Sequence, residues 1–228
     1  MAESWFLLQS GPGEPPWNMA LDQALLENAP ELAKPVLRFY GWTQPAASFG
    51  YSQHFSELER VTLLRPLIRR PTGGGLVPHH EDWTYSLIFP PNHFWYKLKA
   101  VESYQLVHEW IKDAFEKIDV VTKLSPCCKK EIPGQCFVGA EKSDLLWNEK
   151  KIAGAAQRRT KNGLLIQGSI QLPPISLSRS DWEKAMCAVA LEKFGTTWIK
   201  LIPNSALNDC ASSLVAQKYS QRSYNQKR

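Results

Sequence analysis

The strongest constraint on this chain is a pair of apolar runs joined by a tight-turn signal. Lys151–Arg159 and Leu164–Leu172 flank Lys161-Asn162-Gly163. An Asn-Gly pair between two strand-like runs specifies an antiparallel hairpin, because both residues tolerate the positive φ that such turns demand. A second strand–turn–strand precedes it, with Asp144–Trp147 and a turn at Asn148-Glu149. Further strands are expected at Trp5–Gln9, Val36–Tyr40, Ser48–Tyr51, Leu67–Arg70, Trp83–Phe89 and Val120–Leu124. Helices are expected at Asn18–Glu27, Val101–Ile118, Ser180–Phe194 and Ser205–Lys218, with a short one starting at the Ser56–Glu59 capping pattern. Ser180 and Glu183 form another such pattern. In Val101–Ile118 a wide apolar stripe carries Val107, Trp110, Ile111, Ala114 and Phe115. Runs of strands with interspersed helices predict an α+β fold with a mixed, mostly antiparallel sheet flanked by helices. No repeat or linker divides residues 1–228, so a single domain is expected.

Composition excludes several classes. With 43% hydrophobic and 21% charged residues the chain is of globular type, and 228 residues suffice for a core without staples. Its longest apolar runs fall well short of a membrane span. The start, MAESWFLLQS, has an acid and no basic region, unlike a signal peptide. Five cysteines, an odd and low count, read as reduced thiols in the cytoplasm. The net charge of +5 owes most to Lys218, Arg222, Lys227 and Arg228 in a tail without acids, read as solvated and frayed. No readable basic face points to nucleic acid. The doublets Arg69-Arg70, Lys129-Lys130, Lys150-Lys151 and Arg158-Arg159 would steer an acidic protein partner.

Three segments carry possible chemistry. In the first, Arg69-Arg70-Pro71-Thr72-Gly73-Gly74-Gly75-Leu76-Val77-Pro78-His79, three glycines after a strand let backbone approach a ligand closely. A flexible turn is the alternative, and the absence of Gly-Lys-Ser/Thr excludes a P-loop. The second is Lys151-Ile152-Ala153-Gly154-Ala155-Ala156-Gln157, a strand almost without side chains, headed by a lysine that is either a site cation or a solvated turn charge. The third is Cys136, a loop cysteine whose thiolate a nearby lysine would favour, with an idle thiol as the alternative that the residues alone favour. Cys127 and Cys128 lack metal-ligand spacing, and Cys187 and Cys210 sit in apolar helical patterns. His54, His93 and His108 show no pattern.

These segments, in this order, resemble the lipoate/biotin protein ligase superfamily from about Trp5 to Leu172. Asn18-Met19-Ala20-Leu21-Asp22 resembles the first-helix motif. Tyr40-Gly41-Trp42 and Ser48-Phe49-Gly50-Tyr51 resemble the next strand pair. Arg69 to His79 resembles the glycine loop, Lys151 to Gln157 the lysine strand, and Gly168-Ser169 its return. Cys136 and Trp83-Thr84-Tyr85-Ser86 resemble the octanoyltransferases that are similar to lipoate–protein ligase A. The sequence departs from the pattern at Gln167, where a His is usual, and at Cys127-Cys128.

The resemblance implies an enzyme moving octanoyl from acyl carrier protein to the lysine of lipoyl domains in lipoate biosynthesis. Those domains belong to 2-oxoacid dehydrogenase E2 subunits and the glycine cleavage H protein. It implies Cys136 as nucleophile and Lys151 as its partner. Arg70, Thr72, Gly73, Gly74, Gly75, Val77, His79, Ala153, Gly154, Gly168 and Ser169 are the implied substrate-binding residues. No cofactor or metal is implied. Three alternatives remain: an amidotransferase acting between lipoyl-domain proteins, an ATP- and Mg-dependent lipoate–protein ligase, and a non-enzymatic binding module in which Cys136 is idle. The stretch after Leu172, with helices and a basic tail over 180–228, is short for the accessory domain of many ligases.

Overall fold

The computed structural model describes residues 3–127, 129–130, 139–172 and 174–227. Up to the glycine loop the elements are β1 (Glu3–Gly13), α1 (Pro15–Glu27), α2 (Ala29–Leu32), β2 (Val36–Trp42), β3 (Ala46–Phe49), α3 (Phe55–Leu58) and β4 (Leu67–Arg69). After it come β5 (Val77–His79), β6 (Trp83–Phe89), α4 (Phe94–Lys97), α5 (Ala100–Glu116), β7 (Lys123–Leu124), β8 (Lys129–Lys130) and β9 (Gly139–Ala140). The chain continues with β10 (Leu145–Trp147), β11 (Lys150–Thr160), β12 (Gly163–Ile170), α6 (Arg179–Phe194), β13 (Thr196–Lys200) and α7 (Ser205–Leu214). A π-helical turn (Val215–Tyr219) leads into α8 (Arg222–Asn225).

Eight strands form one sheet in the order β13-β1-β2-β6-β12-β11-β10-β7. β13 and β2 flank β1 in parallel and the remaining neighbours are antiparallel, so the sheet is mixed and mostly antiparallel as expected. A three-stranded sheet, β4-β3-β5, stands apart and carries the glycine loop. Both hairpins form. Trp147 pairs with Lys150 across Asn148 and Glu149, both at positive φ (46° and 63°), the geometry a two-residue turn requires. Thr160 pairs with Gly163 across Lys161 and Asn162. Gly163 is already in the strand, where a Cβ would lie 2.4 Å from the Phe89 carbonyl oxygen.

Helices cover both faces. On one, α5 and α6 pack over Phe39, Tyr85, Leu87, Ile152, Ala153 and Ile166, with Trp110 and Trp182 buried between. On the other, Leu21 and Leu25 of α1 and Leu207 of α7 cover Leu8, Val36, Ile88 and Leu165. α1 starts with two prolines, whose missing N–H groups cost nothing at a helix start.

Several expectations are corrected. α6 is capped by Ser178, which accepts from the Asp181 N–H, and not by Ser180. α3 begins at Phe55 after an N-cap at His54, so Ser56 caps nothing. Val101 opens the α5 stripe but is 74% exposed, one residue into the helix and beyond the core. β13 is an additional edge strand. The C-terminal tail is folded: Tyr219 is fully buried against Met19 and Ile68, and Lys218 Nζ donates to Gln23 Oε1 at 2.7 Å. The tail has no acids to pair with, but Lys218 finds the Gln23 amide oxygen, Lys218 and Lys227 lie over tyrosine rings, and tail carbonyls accept from Arg69.

Candidate active site

The lysine strand is aimed by a register shift. Leu145 pairs with Ala153 but Leu146 pairs with Lys151, leaving Ile152 as an extra residue. Such a bulge resets the alternation of side chains and re-aims one of them. Ile152 and Ala153 both enter the core beneath α5, and Lys151 turns to the opposite side. Its side chain then runs over Gly154, where a Cβ would lie 2.7 Å from Cε and 2.9 Å from Nζ. Lys151 Nζ sits 2.7 Å from Asp144 Oδ2, and both side chains are nearly sealed from water. Asp144 also accepts from the Glu141 N–H at 2.6 Å and from the Tyr104 hydroxyl. Burial and the Asp144 charge push the Tyr104 phenol far above its ordinary pKa, so it stays a donor. A cation without its own carboxylate would be costly here; Asp144 and its donors make the buried ammonium tenable.

The glycine loop is held by its own arginine. Arg70 donates to the Gly73 carbonyl at 2.6 Å, to Gly75 at 2.7 Å and to Ser48 Oγ at 3.3 Å. The loop lies so close to β3 that a Cβ on Gly50 would fall 1.9 Å from the Gly74 carbonyl oxygen. Thr72 Oγ1 donates to Gln167 Oε1 at 2.8 Å, and Gln167 Nε2 donates to Asp22 Oδ2 at 2.7 Å. Asp22 also pairs with Arg38 (2.7 Å), both fully buried, and accepts from Ser86 and Tyr40. Gln167 thus bolts the loop to α1 through a polar chain whose ends are all satisfied.

A second buried network forms the opposite wall. His79 Nδ1 lies 2.8 Å from Asp82 Oδ2 and Nε2 lies 2.7 Å from Ser48 Oγ. Ser169 and Thr84 donate to the same Asp82 oxygen. Burial alone would raise the Asp82 carboxyl, but the His79 ring and these hydroxyls hold it below its usual value. Trp42 stacks on His79 at 3.9 Å between centroids and donates to Thr84 Oγ1.

Between these walls lies a cleft with about 460 Å³ of empty space, which includes open solvent at its mouth. Of the residues singled out in the sequence, Arg70, Val77, His79, Lys151, Gly154, Gly168 and Ser169 line it. Thr72, Gly73, Gly74, Gly75 and Ala153 stand behind that lining, as anchors of the loop and part of the core. Cys136 lies outside the described residues, as does Cys128. Met19, Tyr40, Trp42, Ser48, Thr84, Ala155, Ala156 and Gln167 complete the wall, and Asp144, Tyr104 and Asp82 support it. Of these supports, Asp82 had a readable signal, an acid three residues after His79. Asp144 and Tyr104 had none, since the bulge that joins them to Lys151 leaves no mark in the sequence. Among the described residues no group of three or more His, Cys, Asp or Glu side chains could hold a metal ion, and no helix is long and apolar enough to cross a membrane.

Residues 14–204 match the family model of the lipoyl protein ligase A/B catalytic domain. The chain belongs to this family. Octanoyltransferase LipM of Halalkalibacterium halodurans is 33% identical over 183 residues, covering 75% of this chain and 66% of that protein. Octanoyltransferase LipM of Bacillus subtilis is 34% identical over 185 residues, with the same coverage. The chain therefore spans just under two thirds of the length of these curated relatives. A bipartite lipoate protein ligase from Thermoplasma acidophilum, solved in a study with its E2 lipoyl domain, superposes with a TM-score of 0.77 at 18% identity, over 99% of this chain and 97% of that one. That likeness shows the shared lipoate-ligase fold.

Proposed function

We propose that this chain is a cytoplasmic octanoyltransferase of lipoate biosynthesis, working without ATP or metal. The octanoyl donor is the thioester of acyl carrier protein, and the acceptors are the lysines of lipoyl-domain proteins, E2 subunits and the glycine cleavage H protein. The observation that carries the reading is the buried Lys151 ammonium over Gly154, at a cavity whose lining strand residues Gly154, Ala155, Ala156 and Gly168 carry at most a methyl side chain. The likeness to the two octanoyltransferases supports it.

In the first half-reaction the Cys136 thiolate attacks the thioester carbonyl, the bond to the phosphopantetheine sulfur breaks, and the carrier thiol leaves. A neighbouring ammonium favours the thiolate and the developing oxyanion, the part assigned to Lys151. In the second the acceptor amine attacks the Cys136 thioester, an amide forms, and the amine's proton goes to the departing sulfur.

Mass spectrometry of the chain mixed with octanoyl-carrier protein and no ATP tests this. An octanoyl adduct on Cys136, absent in Cys136→Ala and discharged by a lipoyl domain, is expected. Product that demands ATP would make the chain a ligase. An adduct obtained only from an octanoylated lipoyl protein would make it an amidotransferase.

A further inference from the structure

The cavity floor is built from cross-strand rows. Gly154, Ser169 and Thr84 form one row, and Ala156 and Gln167 belong to the next, about 7 Å further along the strands, whose third member, Ser86, is buried outside the lining. Lys151 Nζ lies over the first row. The third row is closed, because Leu165 and Ile88 are fully buried under α1. An acyl chain whose carbonyl meets Lys151 therefore ends at the second row.

Met19 stands there. It lines the cavity, is 2% exposed, and its sulfur lies 3.6 Å from Gln167 Nε2. The neighbouring aromatic walls are pinned, Tyr40 to Asp22 and Trp42 to Thr84. Met19 has only the weak sulfur contact and an unbranched, adaptable side chain. Its position is fixed from behind by packing against Ile68 and Tyr219. Tyr219 belongs to the C-terminal segment, beyond the residues 14–204 that match the family.

We propose that Met19, backed by Tyr219, is the end stop of the acyl cavity and sets the longest chain the enzyme accepts. The inference rests on the acyl-transfer reading above and deepens it: the substrate class is a straight medium-length acyl group, and its upper limit is a property of α1 and the C-terminal segment. A hydrophobic pocket discriminates by roughly 10–200-fold per methylene, so moving the stop by one side chain has a readable effect.

The test measures kcat/KM for acyl-carrier thioesters of six to fourteen carbons with wild type, Met19→Ala, Met19→Val, Met19→Phe and Tyr219→Ala, each checked for folding by thermal melting. Met19→Ala is expected to raise the dodecanoyl-to-octanoyl ratio at least tenfold. Met19→Val, which disturbs packing less, should move it the same way, Met19→Phe should lower the decanoyl-to-octanoyl ratio, and Tyr219→Ala should act like a mild Met19→Ala. Unchanged ratios in folded variants, or equal losses at every length, would overturn the proposal. A wild type that takes no acyl group from any carrier thioester would instead overturn the transfer reading. The end stop is then read by displacement of a fluorescent fatty acid with octanoate or dodecanoate, where an unchanged length preference in Met19→Ala rejects it.

Discussion

Gly154 and Lys151 are coupled through the space that one leaves for the other. The lysine reaches its place only because strand β11 has no Cβ where its Cε and Nζ pass, at 2.7 and 2.9 Å. The obstacle created by Gly154→Ala meets the movable end of a side chain, so the backbone has no reason to shift. Folding stability is expected to stay within about 1 kcal/mol of wild type, since alanine is no worse than glycine in a strand. Misplacing a catalytic group by ~1 Å costs about 100-fold in rate. Single-turnover transfer by Gly154→Ala should fall by about that factor while its unfolding curve overlays wild type, and undiminished transfer would detach Lys151 from the reaction. This variant is cleaner than Lys151→Ala, which strips the buried Asp144 of its cation and so disturbs stability as well. At this scale the sequence was informative about residue types, such as the lysine, the side-chain-poor strand and the His after the glycines. It was silent about Asp144 and Tyr104, whose roles arise from contacts across 40 residues of chain.

Helix α5 shows what an element adds. Its apolar stripe was readable from spacing, and the buried residues Val107, Trp110, Ile111, Ala114 and Phe115 follow it. His108 looked featureless in the sequence, yet it is completely buried, its Nδ1 on the Tyr104 carbonyl at 2.8 Å and its Nε2 without a hydrogen-bond partner among the described residues. Burial pushes its pKa down from 6.5 to about 4, so the ring is neutral in the fold and protonated in the unfolded chain between those values. The unfolded state binds more protons there, hence stability falls as pH drops from 6.5 to about 4, by about 3 kcal/mol for a shift of this size. His93 is lowered in the same direction, by burial against the pull of Glu3. Denaturant unfolding followed from pH 7 to pH 4 should show this loss, and His108→Gln should remove most of it. An identical pH profile in the variant would mean that the ring is already solvated. The hairpins were legible because turn chemistry is local. The β10–β11 bulge and strand β13 were not, because a register shift and a parallel edge partner depend on residues far away in the chain.

For the molecule as a whole, the basic charge has a different meaning from the one composition offered. One of the doublets is internal, and a second is half so. Arg69 and Arg70 are buried with their guanidinium groups on backbone carbonyls, and Lys151 is paired with Asp144, while Lys150 and Arg159 remain exposed. Arg69 is the joint between the glycine loop and the C-terminal segment. Its side chain donates to Tyr51 and Gln53 at 2.7 Å and to the Tyr224 and Asn225 carbonyls, and its N–H donates to Asn225 Oδ1 at 2.9 Å. Lys227 packs over the Tyr51 ring at 4.0 Å, tightening the same seam. Composition could show that the tail is basic but not that it docks, because its partners are an amide oxygen of Gln23, tyrosine rings and the Arg69 guanidinium, none of which pairs with it by opposite charge. Deleting residues 221–228 removes three of the Arg69 bonds and leaves a buried charge with fewer acceptors, a change that destabilises its surroundings. Amide hydrogen exchange is expected to speed up by an order of magnitude or more over residues 67–77, most of all at the Arg69 N–H. The central strands β6, β11 and β12, whose hydrogen bonds lie far from the seam, should keep wild-type protection. Asn225→Ala should give a smaller version of the same pattern. If exchange over the loop were unchanged, the segment would be a passenger on the sheet; if it rose everywhere alike, the tail would be contributing to global stability and not to the order of the loop that roofs the cavity.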